Sequence, residues 1–372
     1  MKVWFTKGLS NTLDAVSLIK NDPSGSGIAI LGSHVDPHHP LQAVCTEFLV
    51  EPAQINGAEY AGWVHETALR RNVDLIVVQR KRRSLWSERA RFTSAGMKLQ
   101  LPAAPEVLDL LDNKLAFQRD LDLPELAAAG VFGHVALPFA DLAEFDAARE
   151  LLQTQVDARY GLCVKPTVGT FGSGFRRIEL DGKDFERMMS PDPEDLFRIS
   201  LDGFRLALAR AGRPREMLLM PYLPGPERSI DFVSRDGELI VAVARVKSVK
   251  HQVLEVAGPA IEIARRLARR YGLNGLCNLQ TREIDGRQVI LEINARMSGG
   301  MSMACLAGVN LPLLSILSEA GLPFPRPVNL RDGTVVAMVE TARVIAAAQV
   351  EFQAFPPEHD PQRIISCCFG AA

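Results

Sequence analysis

The sequence predicts a mixed protein, α/β in its first third and α+β beyond it, built from two or three domains. Three observations carry this. The chain has 372 residues, more than one ordinary domain of about 100 to 200 residues holds. Residues 1 to about 105 alternate short apolar runs with amphipathic segments, the pattern of a small parallel sheet with covering helices. Past residue 274 the pattern changes to two apolar runs joined by Asp285-Gly286, which reads as a strand, a turn and a returning strand.

The elements of the first third follow from periodicity. Strands are expected at 3–5, 28–31, 47–50 and 74–78, and helices over 11–20 and 59–71. The run Asp-Leu-Ile-Val-Val at 74–78 is apolar on both faces, as in a strand covered on both sides. Gly8-Leu9-Ser10-Asn11 lies between the first strand and helix, where it could cap the helix or offer backbone N–H groups to an anion. There is no G-x-G-x-x-G, so a dinucleotide site has little support. His34, Asp36, His38 and His39 are close enough in sequence to bind metal, but Pro37 and Pro40 beside them favour a surface turn. The basic run 80–83 reads as a solvated face or loop.

Composition narrows the function. Hydrophobic residues make up 47% and charged residues 23%, a globular balance. Net charge is −2 and the pI about 6.4, so there is no basic surplus for nucleic acid or an anionic membrane. The six cysteines form no C-x-x-C pair, and most sit among apolar neighbours, as free thiols in a reducing compartment do. The N-terminus lacks a basic head with a long apolar stretch, and no window approaches about 20 apolar residues. A cytoplasmic protein without a membrane span is expected.

Four features between Asp112 and Arg296 carry chemistry. Asp112-Asn113-Lys114 opens a helix over 115–121, and a lysine there is either solvated or a cation for phosphate. A β-type run then delivers Lys165 and a loop with Gly169, Gly172 and Gly174, three glycines in six residues. Such a loop is an ordinary flexible turn or a backbone cradle for phosphate, and it is no Walker A loop because no G-K-[ST] ends it. The apolar strand 217–223 is followed by Pro224-Gly225-Pro226 and a second strand led by Glu227. This is a hairpin with an exposed glutamate, or an adenine slot with Glu227 accepting from a ribose hydroxyl. The fourth feature is the pair of strands 275–280 and 288–294. Alternation puts Glu292 and Asn294 on one face, and Gln280 on the neighbouring strand can join them. Three oxygen donors suit Mg2+; the other reading is a polar face on an exposed hairpin, against which the flanking residues are apolar. Arg296 continues the same face, and Ser298-Gly299-Gly300 opens a helix at 301–306, a possible anion site.

In this order the features resemble the ATP-grasp superfamily, in particular the synthetase domains of carbamoyl-phosphate synthetase and related carboxylate-amine ligases. The likeness spans roughly 114–300. It implies an ATP-grasp fold preceded by a Rossmann-like domain, with units at 1–108, 109–220 and 221–372. It further implies that Lys114 and Lys165 hold ATP phosphates under the glycine loop (Gly169, Gly172, Gly174). Adenine would meet the linker at Met220, Tyr222 and Leu223, and Glu227 the ribose. Gln280, Glu292 and Asn294 would hold Mg2+, or Mn2+ in its place. Arg296 would stabilise the transferred phosphoryl group, with Arg245 and Lys247 as further basic contacts of a looser match. Ser298, Gly299 and Gly300 would bind substrate. Two departures stand out. Met220 and Pro221 replace the usual linker glutamates, and Pro221 has no N–H to offer adenine. Thr170-Phe171 replaces further glycines, with Phe171 stiffening the loop or covering the nucleotide.

The implied activity is ATP-dependent activation of a carboxylate as an acyl-phosphate for attack by an amine or other nucleophile, releasing ADP and phosphate. A phosphotransferase or a non-catalytic ATP-binding regulator on the same fold is the alternative. The expected partners are small-molecule carboxylate and amine substrates, by default an amino acid or small peptide. A homodimer is compatible with the likeness, though no motif shows one. A returning strand is expected at 334–339 and a loosely packed extension beyond 355.

Overall fold

The computed structural model describes residues 1–8, 11–157, 159–169, 172–324 and 329–339. The extension beyond 355, Cys367 and Cys368, and Thr170-Phe171 lie outside the described residues.

The first sheet is parallel. It contains β1 (Lys2–Phe5), β2 (Ala29–His34), β3 (Glu47–Val50), β4 (Leu75–Val77) and β5 (Lys98–Gln100), in the order β3-β2-β1-β4-β5. Its strands send alternate residues to two cores. Trp4, Leu31 and Ile76 pack against Tyr60 and Val64 of helix Gly57–Arg71. Val3, Phe5, Ile30 and Leu75 face Val16 and Ile19 of helix Thr12–Asn21. Both faces are covered, as the apolar run at 74–78 predicts. The histidine cluster is a turn: His34 and His39 stack at 3.9 Å, and the Nδ1 of each accepts a backbone N–H.

A second sheet has the order β6-β10-β7-β8-β9, from β6 (Leu137–Phe139), β7 (Gly161–Pro166), β8 (Arg176–Glu179), β9 (Arg198–Ser200) and β10 (Met217–Tyr222). The third is antiparallel with the order β15-β14-β11-β12-β13-β16. Its strands are β11 (Glu227–Arg235), β12 (Glu238–Lys247), β13 (Gln252–Glu255), β14 (Gly275–Ile284), β15 (Arg287–Asn294) and β16 (Val335–Val336). Asp285 and Gly286 both take positive φ, 50° and 74°, the two-residue turn that matches strand twist and closes the β14–β15 hairpin. The expected returning strand is present as β16, shorter than its sequence pattern, paired with β13.

Helix Leu311–Ala320 joins the parallel sheet to the antiparallel one. Leu313, Ile316 and Leu317 enter the core under β1 and β4, while Leu311 and Leu314 enter the core beneath β11 and β12. Lys98 of β5 caps its C-terminal end, donating to Ala320 O at 2.6 Å. Gln100 donates to Ser315 O and Oγ, both at 3.0 Å. Among the described residues no helix is long and apolar enough to cross a membrane.

Inside the antiparallel sheet a charged pair is fully buried. Arg245 on β12 donates through Nε to Asp231 Oδ2 on β11 at 2.9 Å, and their side chains are 3% and 0% exposed. Asn278 of β14 donates to the other Asp231 oxygen at 3.0 Å. Such a pair contributes little against an apolar substitute, but removing one partner strands the other charge in a medium where it is poorly solvated. Asp231→Ala should therefore cost about 3–5 kcal/mol in denaturant unfolding; a loss below about 1 kcal/mol would show that Arg245 has found water.

Candidate active site

The β14–β15 hairpin, the end of β7 and the linker after β10 enclose a cleft of ≈ 670 Å³. Lys114 enters it because Asn113 caps the helix Lys114–Leu121, accepting from Ala116 N at 3.0 Å, while Lys114 N donates to Thr167 O just past β7. Two residues distant in sequence, Lys114 and Lys165, thereby face one space. Lys114 Nζ donates to Gly169 O at 2.9 Å and stands 3.8 Å from Glu292 Oε2.

Glu292 reaches the cleft through a β-bulge. Plain alternation would put Ile290 and Glu292 on the same face. The register instead shifts between Gln280 and Thr281, so that Gln280 opposes Glu292 and Thr281 opposes Ile290. The extra residue, Leu291, lets Ile290 stay in the core while Leu291, Glu292 and Asn294 line the cleft. The sequence-based grouping of Gln280, Glu292 and Asn294 is thus met in geometry, by a route that periodicity alone does not contain. Asn294 Nδ2 donates to Glu292 Oε1 at 2.9 Å, and Arg296 donates to Asn294 Oδ1 at 2.9 Å.

The electrostatics are set by burial. Burial alone would raise the Glu292 carboxyl, but Lys165 and Lys114 outweigh it and hold the group below its ordinary value. Burial lowers Lys114, partly offset by Glu292, and it also lowers Arg296. Burial and the neighbouring Lys165 push the His134 imidazole, on the cleft wall, down to about 4.

At the other end, Met220, Pro221, Tyr222 and Leu223 line the cleft as expected. Glu227 is held by Lys247 and by Arg282 at 3.3 Å. Arg282 also donates to Leu223 O at 2.8 Å, and it and Arg177 lie over the Tyr222 ring, at 5.5 and 4.4 Å from its centre. Sequence reading missed Arg282 and Asn278. Both were within its reach, since they stand two residues either side of Gln280 on an unbulged strand. His134 and Arg177 have no local signal; only the fold brings them here.

Three expected site residues are placed elsewhere. Arg245 does not line the cleft, because Asp231, Ser229 and Ser298 enclose it, the last at 3.0 Å. Gly300 lies against Arg245 rather than in the cleft: a side chain there would collide with the guanidinium. Gly174 packs against the Pro166 ring, while Gly169 and Gly172 line the cleft. Ser298 and Gly299 also line it. Asn11 does not cap its helix; its amide donates to Met297 O and Ser298 O, at 2.8 and 2.9 Å. The basic run departs from a solvated face, with Arg80 on the buried Glu51 at 3.1 Å and Arg82 on Ala295 O at 2.9 Å.

His134 yields a pH prediction. The unfolded ring takes a proton near 6.5 and the folded ring only near 4, so between these values the unfolded chain binds more protons. Its contribution to stability is present above about 6.5 and falls as pH drops towards 4. Unfolding measured at pH 7 and pH 5 should show a smaller pH dependence in His134→Gln than in the wild type; equal slopes would contradict the assignment.

Residues 213–342 match the family described as "ATP-grasp in the biosynthetic pathway with Ter operon". No curated protein matches the chain. Among solved structures, the ATP complex of carboxyaminoimidazole ribonucleotide synthase from Aspergillus clavatus is similar at 13% identity and a TM-score of 0.62, covering 90% of this chain and 80% of that one. The biotin carboxylase domain of the Hydrogenobacter thermophilus 2-oxoglutarate carboxylase, crystallised as a dimer with MgADP, ADP and bicarbonate, is similar at 15% and 0.60, covering 90% and 73%. L-amino acid ligase from Bacillus licheniformis is similar at 14% and 0.53, covering 86% and 74%. At such identities the likeness is one of fold. The chain has the ATP-grasp fold behind a Rossmann-like parallel sheet, and over residues 213–342 it carries the sequence pattern of an ATP-grasp family.

Proposed function

We propose that the protein is an ATP-dependent ligase that activates a carboxylate as an acyl-phosphate and passes it to an amine or related nucleophile, with 1–108, 109–220 and 221–372 as its working units. The observation that carries this reading is the meeting of Lys114, Lys165, Glu292, Asn294 and Arg296 in one cleft. Tyr222 and Leu223 would face adenine, and Glu227 would accept from the ribose. Lys247 then acts through Glu227, holding its carboxylate in place.

The donor set fits a magnesium-nucleotide better than a standing metal cage. It offers one carboxylate and two carboxamides, with cations alongside. Among the described residues there is no group of three or more His, Cys, Asp or Glu side chains able to hold a metal alone. Mg2+ typically uses one or two carboxylates and completes its shell with water and phosphates. Gln280, Glu292 and Asn294 would hold it, and bound there it would neutralise phosphate charge. Mn2+ suits the same oxygen donors.

The chain's own groups position and neutralise. Lys114 and Lys165 oppose phosphate charge, and Gly169 and Gly172 let backbone come close. The substrate carboxylate oxygen attacks the γ-phosphorus, and the bond to the bridging oxygen of ADP breaks. Arg296 faces the charge that builds on the transferred group. The acceptor nitrogen then attacks the acyl carbon, loses its proton, and phosphate leaves. No nucleophilic side chain is needed, because orientation and preorganised charge supply the rate.

Phosphate and ADP release from Mg·ATP, screened across pools of amino acids and small carboxylic acids, tests the reading. One pool should stimulate release, and Glu292→Gln should reduce it by about 10- to 100-fold, since it removes the one carboxylate among the three proposed donors. Near-normal turnover in that variant would overturn the metal assignment. ADP formed without phosphate would favour a phosphotransferase.

A further inference from the structure

A second cavity of ≈ 330 Å³ lies between the parallel sheet and the hairpin. Its place follows from topology. In the order β3-β2-β1-β4-β5 the connections leave the β1–β4 pair in opposite directions, so the loops after these two strands part from each other. A crevice at that point, beyond the C-terminal strand ends, is where open parallel sheets take ligands. Lys7 follows β1, Gln79 and Arg80 follow β4, and all three line the cavity. The facing wall comes from the end of the hairpin at Ala295–Met297 and from helix Leu311–Ala320.

The lining is cationic. Lys7, Arg80, Arg82 and Arg296 contribute to it, and among the described residues no Asp or Glu does. Three carboxylates stand behind these four cations, Glu51 on Arg80 at 3.1 Å, Asp112 at 3.8 Å from Arg82, and Glu292 beside Arg296, which still leaves the positive charge in excess. Charge in a cleft partly removed from water acts more strongly than the same charge on an open surface. Amides line the cavity as well. Asn11 is 5% exposed, and its donation to two carbonyls fixes which end of the amide is nitrogen. Among the described residues its Oδ1 has no hydrogen-bond partner, and a buried acceptor left so favours a ligand that brings an N–H or O–H. Arg296 lines this cavity and the nucleotide cleft alike, so the two spaces adjoin at this residue.

The geometry points to this cavity as the acceptor site, and to the acceptor as a small acid: besides the group that is joined, it bears a carboxylate or phosphate that Lys7, Arg80 and Arg82 hold. The inference rests on the ligase reading for the word acceptor, while the anion site stands on its own residues.

Calorimetric titration of the full chain, with a non-hydrolysable magnesium-ATP analogue present, tests it. The probes are L-glutamate for a carboxylate and O-phospho-L-serine for a phosphate, with L-glutamine and L-lysine as controls. At least one acidic probe should bind ten or more times more tightly than either control. Lys7→Gln should weaken that binding at least tenfold and leave the affinity for the nucleotide analogue unchanged. Lys7 is preferred to Arg80, whose loss would strand the buried Glu51. Binding of neither acid, equal binding of a control, or acid binding that survives both Lys7→Gln and Arg82→Gln would overturn the proposal. The two readings separate cleanly. Phosphate release driven by neutral or basic acceptors alone would keep the ligase and remove the acid site. Lys7-dependent acid binding without phosphate release in any pool would do the reverse.

Discussion

The cleft depends on keeping one half-buried carboxylate ionised. Glu292 sits where burial opposes its charge, and Lys165 and Lys114 favour it. The dependence runs both ways, because Glu292 in turn supports the Lys114 ammonium against the same burial. Each group thus favours the charged form of the other. Around this balance the other parts have definite tasks. The bulge at Leu291 aims the carboxylate, the Asn113 cap sets the lysine, and the Asp285-Gly286 turn fixes the register of both hairpin strands.

Beneath the cleft lies a second, quieter layer. Asp231, Arg245, Asn278 and Ser229 form a buried polar floor whose groups bond one another and reach Ser298. The family resemblance implied a cleft role for Arg245, which shares one face of β12 with Lys247 two residues on. The Ser298–Gly300 turn covers it, and a side chain at 300 would run into the Arg245 guanidinium. A side chain can thus lie on the functional face of a strand and still be structural, when a later loop closes over it. The helix Leu311–Ala320 plays the comparable part between the sheets, packing the parallel sheet against the antiparallel one and lining one of the two cavities that share Arg296.

Much of this was legible in the sequence, for identifiable reasons. The parallel sheet announced itself because both faces of its strands are apolar. The hairpin did so because Asp-Gly stands between two apolar runs, and period two then placed Glu292 beside Asn294. What the sequence did not hold was of two kinds. Long-range meetings left no local trace: His134 on the cleft wall, Arg82 on Ala295 O, and Asn11 reaching Met297. Local rules were also overridden by tertiary packing. The run at 80–83 looks solvated by composition, yet Arg80 and Arg82 are drawn inward by Glu51 and by the end of the hairpin. The bulge at Leu291 breaks alternation where the charged Glu292 is turned away from the core.

The central claim is that a carboxylate oxygen is phosphorylated in this cleft. The most direct test is to incubate the full chain with Mg·ATP and a pool of amino acids and small acids labelled with 18O in the carboxyl group, then to read the released phosphate by 31P NMR. If an acyl-phosphate forms, one labelled oxygen leaves with the phosphate, and its signal shifts in the Glu292-dependent reaction. Released phosphate that carries no label would contradict the account.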